Sequence, residues 1–148
     1  MTDAVLRASR LLVAVSARSI ASVDEAITIP QFRLLVVLDT RGPVKLTALA
    51  EHLAVNPSTA TRMVDRLVAA GLVSREANPA SRRELVVALT ESGSAVVREV
   101  TQRRRKEITR IVSRMPAAAR RGLVRAFTAF TEAGDEPSVG QHANAFWV

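Results

Sequence analysis

The stretch Leu46–Gly93, LTALAEHLAVNPSTATRMVDRLVAAGLVSREANPASRRELVVALTESG, decides the fold. It opens with a short helical pattern from about Thr47 to Ala54, in which Leu46, Leu49, Ala50 and Leu53 face inward. Val55-Asn56-Pro57-Ser58 is a turn. Asn56 and Ser58 are both candidate caps, and Pro57 is tolerated at or before a first helical turn. A second helix is predicted from about Ser58 to Ala70, closed by Gly71. The character then changes: Leu72 to Glu76 reads as a strand, Ala77 to Ser81 as a turn-rich tip, and Glu84 to Leu89 as a returning strand. Two short helices joined by a turn, followed by a basic hairpin, are the order of a helix-turn-helix with a wing.

Upstream, Gln31 to about Thr40 carries Phe32, Leu34, Leu35, Val37 and Leu38 at helical spacing, with Pro30 in its first turn and a stop at Arg41-Gly42-Pro43. An earlier helix is predicted from Thr2 to about Ala26, with Thr2 or Asp3 as its cap and Val5, Leu6, Leu12, Val13, Ser16, Ile20 and Val23 as its recurring positions. Downstream, Thr90 caps a long helix from Glu91 to about Arg114, with a stripe of Val96, Val97, Val100, Ile108, Ile111 and Val112. Pro116 starts a last helix bearing Leu123, Val124, Phe127 and Phe130, and Gly134 ends it. Residues 135–148 read as a mobile tail in which Phe146 and Trp147 are able to dock.

Composition narrows the class. At 148 residues the chain fits one domain. Hydrophobic residues make up 48% and aromatics only 3%, so Leu, Val, Ile and Ala must supply the core, as in helical packing. The formal net charge is +7, mostly from arginine, which favours a polyanionic partner over the plainer alternative of a protein that is merely basic. The absence of cysteine excludes disulfides, thiolate metal sites and a thiol redox switch. His52 and His142 stand apart from any ligand set, so no metal or other cofactor is expected. No nucleophile–base motif or phosphate-binding glycine loop is present, so an enzyme is not expected. No apolar run suits a membrane span, and Met1 leads into Asp3 rather than a signal core, so the cytoplasm is the expected location.

The helix beginning at Ser58 carries the functional signal. Ala60, Val64, Leu67 and Gly71 lie along one face, assigned to the core, while Ser58, Thr59, Thr61, Arg62 and Arg66 lie away from it. Short hydroxyl side chains permit close approach to a major groove, threonine methyls can meet thymine methyls, and Arg62 can reach guanine O6 and N7. The alternative is an ordinary solvated helix face. The hairpin supplies Arg75, Arg82 and Arg83, which suit the negative potential of a minor groove or, equally, a solvated charged turn. Asp65 would be repelled by DNA unless paired with a wing arginine, where it would fix the hairpin against the helix. Arg103-Arg104-Arg105-Lys106 is either a solvated or cross-dimer salt-bridged face or an extension of a phosphate-binding surface.

The quoted stretch resembles the core of the MarR (multiple antibiotic resistance regulator) family. The matching features are Leu49-Ala50, Thr61-Arg62, Val64-Asp65-Arg66-Leu67, Gly71-Leu72-Val73, Arg75, Arg83 and Leu89-Thr90 before Gly93. IPQFRLLVVL, residues 29–38, is similar to the family's preceding helix, and the likeness runs over most of residues 3–133. The resemblance implies a mainly α (α+β) fold: a winged helix-turn-helix with a two-stranded β-wing and a helical dimerisation region. Residues 1–28 and 115–148 would dimerise, 29–90 would bind DNA, and 91–114 would form the connecting helix. It places Pro57, Ser58, Thr59, Thr61 and Arg62 at base-reading positions, Lys45, Thr47 and Arg66 near the phosphate backbone, and Arg83 at the wing tip. It implies a homodimer on a pseudo-palindromic double-stranded DNA site, commonly a repressor released by a small molecule. Arg18 could meet an anionic aromatic effector or simply be solvated. One departure stands out: the family's wing commonly reads Asp-x-Arg, and Ser81 occupies that aspartate position. The competing readings are a non-specific or architectural DNA-binding protein and a winged helix used for protein pairing.

Overall fold

A computed structural model describes residues 1–134; residues 135–148 and the side chain of Arg82 lie outside the described residues. The elements run α1 (Thr2–Ala21), α2 (Ile29–Arg41), β1 (Val44–Lys45), α3 (Leu46–Leu53), α4 (Pro57–Ala69), β2 (Val73–Asn78), β3 (Ser81–Leu89), α5 (Glu91–Ser113) and α6 (Ala117–Ala133). The expectations for Phe146, Trp147 and His142 fall outside this range.

Met1–Arg104 forms one compact unit. Its core gathers Leu34 and Leu35 of α2, Leu49 of α3, Val64 and Leu67 of α4, Val87 of β3 and Val100 of α5. Burying side chains of this size contributes roughly 1.5–3 kcal/mol each. The inward faces of α2, α3 and α4 match the apolar spacing read from the sequence. On α1 the buried residues are Val15, Ser19 and Ile20, whereas Val5, Leu6 and Val13 are exposed.

Helix ends show where local chemistry acts. Thr28 and Gln31 form a reciprocal capping box at the start of α2. Of the two candidate caps for α4, Asn56 serves: its Oδ1 accepts from the Thr59 amide at 2.8 Å. Met1, not Thr2 or Asp3, is the N-cap residue of α1, because Thr2 is already inside the first turn. The same helix ends at Ala21 rather than near Ala26: Ser22 closes it with its hydroxyl on Ser19 O, and the Asp24 carboxylate accepts from Ala26 N in the turn that follows. At the end of α4, Gly71 (φ 73°) lets Leu72 N reach Leu67 O and Gly71 N reach Val68 O, both at 3.0 Å.

The sheet has three antiparallel strands in the order β1-β3-β2, one more than the hairpin predicted. Two residues are too few to show strand alternation, and β1 exists only through its pairing, Val44 with Val87 and Lys45 with Val86. Gly42 (φ 74°) ends α2 and directs the chain into that pairing. The strands of the hairpin run further toward the tip than predicted, to Asn78 and from Ser81, leaving Pro79-Ala80 as the turn. The register jumps from Ala77 opposite Leu85 to Asn78 opposite Ser81. Residues 82–84 are therefore extra on β3 and have no paired counterpart on β2.

The Thr90 hydroxyl accepts from Gly93 N at 3.1 Å to cap α5, and donates to Gly71 O at 2.7 Å, tying the start of α5 to the end of α4. Gly93 sits so close to the chain that an added Cβ would lie 2.0 Å from Leu72 O. Residues from Arg105 onward form a second unit. Within it, α6 starts after Pro116, ends at Gly134 and buries none of its residues; Val124, Phe127 and Phe130 are exposed. No helix among the described residues is long and apolar enough to cross a membrane.

Candidate nucleic-acid interface

Helix α4 is held by one face and offers the other. Ala60, Val64 and Leu67 are almost wholly buried, while Ser58, Asp65 and Arg66 are exposed with Arg62 between them. Thr59 and Thr61 flank this outer face and are half-buried. The Ser58 hydroxyl donates to Asn56 Oδ1 at 2.7 Å and the Thr61 hydroxyl to Pro57 O at 2.9 Å, so both are oriented by the first turn. Pro57, the first residue of α4, is exposed. The outer face thus presents small polar groups at the N-terminal end, where the helix dipole favours an anion, and guanidinium groups one turn on.

Two ion pairs link the wing to its surroundings. Arg75 of β2 pairs with Asp65 of α4, fastening the root of the hairpin to the outer edge of the helix. Lys45 of β1 pairs with Glu84 of β3, 3.2 and 3.1 Å from its two carboxylate oxygens. The Glu84 carboxylate also accepts from Asn78 Nδ2 at 3.0 Å, and Asn78 Oδ1 accepts from Ala80 N at 3.0 Å across the turn. The Lys45 ammonium first, then the Asn78 amide, hold the Glu84 carboxyl below the usual glutamate range.

The structure therefore brings Asp65 to Arg75 and Lys45 to Glu84, and leaves Thr47, Arg66 and Arg83 exposed at separate positions. The side chain of Arg82 is outside the described residues. Sequence reasoning missed Glu84 and Asn78. Asn78 followed by Pro79 was legible as a turn, but nothing local marks a partnership between Glu84 and a lysine 39 positions earlier. In the basic run, Arg103 pairs with Glu99 at 2.7 Å, one turn back on α5.

An open hollow of about 360 Å³ lies between the end of α2, the Gly42-Pro43 turn, the end of β3 and the start of α5. Asp39 and Glu91 line it. Burial raises the Asp39 carboxyl, against the pull of Arg98. Its acidic lining does not suit an anion. Among the described residues no cluster of His, Cys, Asp or Glu could hold a metal ion.

The MarR family model matches residues 27–85, the span from the start of α2 to the middle of β3. The HTH-type transcriptional repressor MdtR of Bacillus subtilis is 30% identical over 114 residues, covering 76% of this chain and 74% of that protein. This chain belongs to the MarR family. The crystal structure of RV1404 from Mycobacterium tuberculosis superposes with a TM-score of 0.87 at 62% identity, covering 94% of this chain and 95% of that one. A structure of Bordetella bronchiseptica BpsR, whose DNA binding is regulated by 6-hydroxynicotinic acid, has a TM-score of 0.66 at 25% identity, covering 88% and 92%. The chain spans about half the length of several other curated relatives it matches. As a MarR-family member it is a DNA-binding transcriptional regulator with a winged helix fold, and its relatives are regulators, not enzymes.

Proposed function

We propose that the protein is a sequence-specific repressor that acts as a homodimer on a pseudo-palindromic operator. Helix α4 enters the major groove, where Pro57, Ser58, Thr59, Thr61 and Arg62 meet base edges. Lys45, Thr47 and Arg66 contact phosphates, and the wing, with Arg75 at its root and Arg82 and Arg83 near its tip, lies over the minor groove. The observation that carries this reading is the two-sided character of α4: a fully packed inner face and an outer face of small hydroxyls and arginine. The repressor role is supported by the MdtR relationship.

Residues 29–90 serve as the DNA-reading part, 91–114 as the connecting helix, and the terminal helices as the dimerisation region. The exposed apolar residues of α1 and of α6 support a partner for each face. The effector proposed is an anionic aromatic, the class of compound that regulates BpsR. Such a ligand acts by preferring the conformer whose recognition helices are wrongly spaced for the operator. The cytoplasm follows as the proposed location from the DNA partner.

The test is binding to a duplex covering the promoter region of the protein's own gene, against a random duplex of equal length at physiological salt. A preference of about a thousandfold or more is expected. Equal, steeply salt-dependent binding to both would favour the non-specific reading, which the net charge of +7 also suits. An Arg62→Ala, Arg83→Ala double variant should lose the preference; undiminished binding would move the interface to another surface. Light scattering should report a dimer.

A further inference from the structure

We propose that Glu84 is a positioning residue that aims the wing tip, and that it tunes how well the protein distinguishes its operator from other DNA. The proposal rests on the wing being the minor-groove element. Its basis is the local geometry. Residues 82–84 are extra on β3, so the ladder that orders the rest of the hairpin does not order them. Arg83 stands in that unpaired segment. A side chain with two acceptors takes over where the ladder stops. One link runs from Glu84 to Lys45 on β1, at the body of the domain. The other runs from Glu84 to Asn78, whose side-chain Oδ1 closes the Pro79-Ala80 turn by accepting from Ala80 N. The chain Lys45–Glu84–Asn78 therefore connects the body of the sheet through side chains to the Ala80 backbone amide at the tip. Ser81, at the other side of the turn, makes no such bridge: its role is the backbone pairing with Asn78.

The arrangement separates positioning from charge. Glu84 is an acidic group beside a proposed DNA surface, and it partners a lysine proposed to contact phosphate. If it acted only through its charge, removing it would strengthen binding to every duplex alike. If it positions the tip, removing it loosens Arg83 and lowers sequence preference, even though binding to random DNA is kept or improved.

The experiment uses the full chain, its Glu84→Ala and Asn78→Ala variants and the double variant. Affinities are measured for the promoter duplex and the random duplex at two salt concentrations. Amide exchange at Ala80 and backbone 15N relaxation at Arg83 are followed without DNA. Glu84→Ala should keep or raise affinity for random DNA, lower the promoter preference about five- to tenfold, speed exchange at Ala80 and lower the backbone order of Arg83. Asn78→Ala should reproduce the exchange effect, and the double variant should lose little more than either single one, because the two residues act through one link. An equal gain on both duplexes, or unchanged preference with unchanged exchange, would overturn the proposal. Should the unaltered protein show no promoter preference, the regulator reading fails by itself, and the exchange at Ala80 with the backbone order of Arg83 decides whether Glu84 braces the tip.

Discussion

Helix α4 and the wing stand next to each other in the chain and are fixed by opposite means. The helix is set by apolar burial: Ala60, Val64 and Leu67 lock it into the core, and Asn56 and Gly71 close its ends. The wing is set by polar links on the surface. Arg75–Asp65 holds its root and Lys45–Glu84–Asn78 links its outer part to β1, with side chains that remain one-third to one-half exposed. Charge screening leaves apolar packing untouched, whereas exposed ion pairs weaken as ions screen them.

The contrast can be broken most directly at Leu67. Leu67→Ala should destabilise the fold by about 2–5 kcal/mol in urea unfolding, with a loss that is the same at low and high salt. A loss under about 1 kcal/mol would mean that α4 is not anchored by packing. Asn56→Ala tests the helix end; losing the cap should cost about 0.5–2 kcal/mol and leave the slope of the unfolding curve unchanged. The smallest effect belongs to the wing. Asp65→Ala should cost about 0.2–1 kcal/mol at low salt and next to nothing near 1 M, because the pair with Arg75 is exposed and screened. A larger, salt-independent loss there would place the wing root in the same packed class as the helix.

Much of the fold was legible because its signals are local. The spacing of Leu34, Leu35 and Leu38, or of Ala60, Val64 and Leu67, marks a helix face whatever surrounds it, and all six are buried. Gly42 and Gly71 mark stops because both adopt positive φ. Local signals also misled. The apolar recurrence in the first helix ran past its true end, since Ser22 and Asp24 supply competing hydrogen bonds to the backbone that periodicity does not register. Val5, Leu6 and Val13 belong to the same pattern as Ile20 yet are exposed within this chain, while Val15, outside that pattern, is fully buried, because hydrophobicity states a demand for burial without naming what meets it.

The candidate site divides in the same way. The residues on the outer face of α4 follow from its register, once the inner face is known. Asp65 could be assigned a charged partner on the wing, but not which arginine; the pairing of β2 with β3 and the angle of α4 decided for Arg75. Lys45 was placed near the phosphate backbone by the resemblance, and the structure pairs it with Glu84.

By itself the sequence determined the order of the helices, the hairpin that follows them, the face of α4 that enters the core and the family to which these features point. It could do so because periodicity, capping and turn chemistry act over a few residues. Only the tertiary structure decided that Val44–Lys45 is a strand, that residues 82–84 escape the ladder, and that Lys45, Glu84 and Asn78 form one link. Those contacts join segments far apart in the chain. Their existence depends on how the sheet closes on itself, which no short window of residues records.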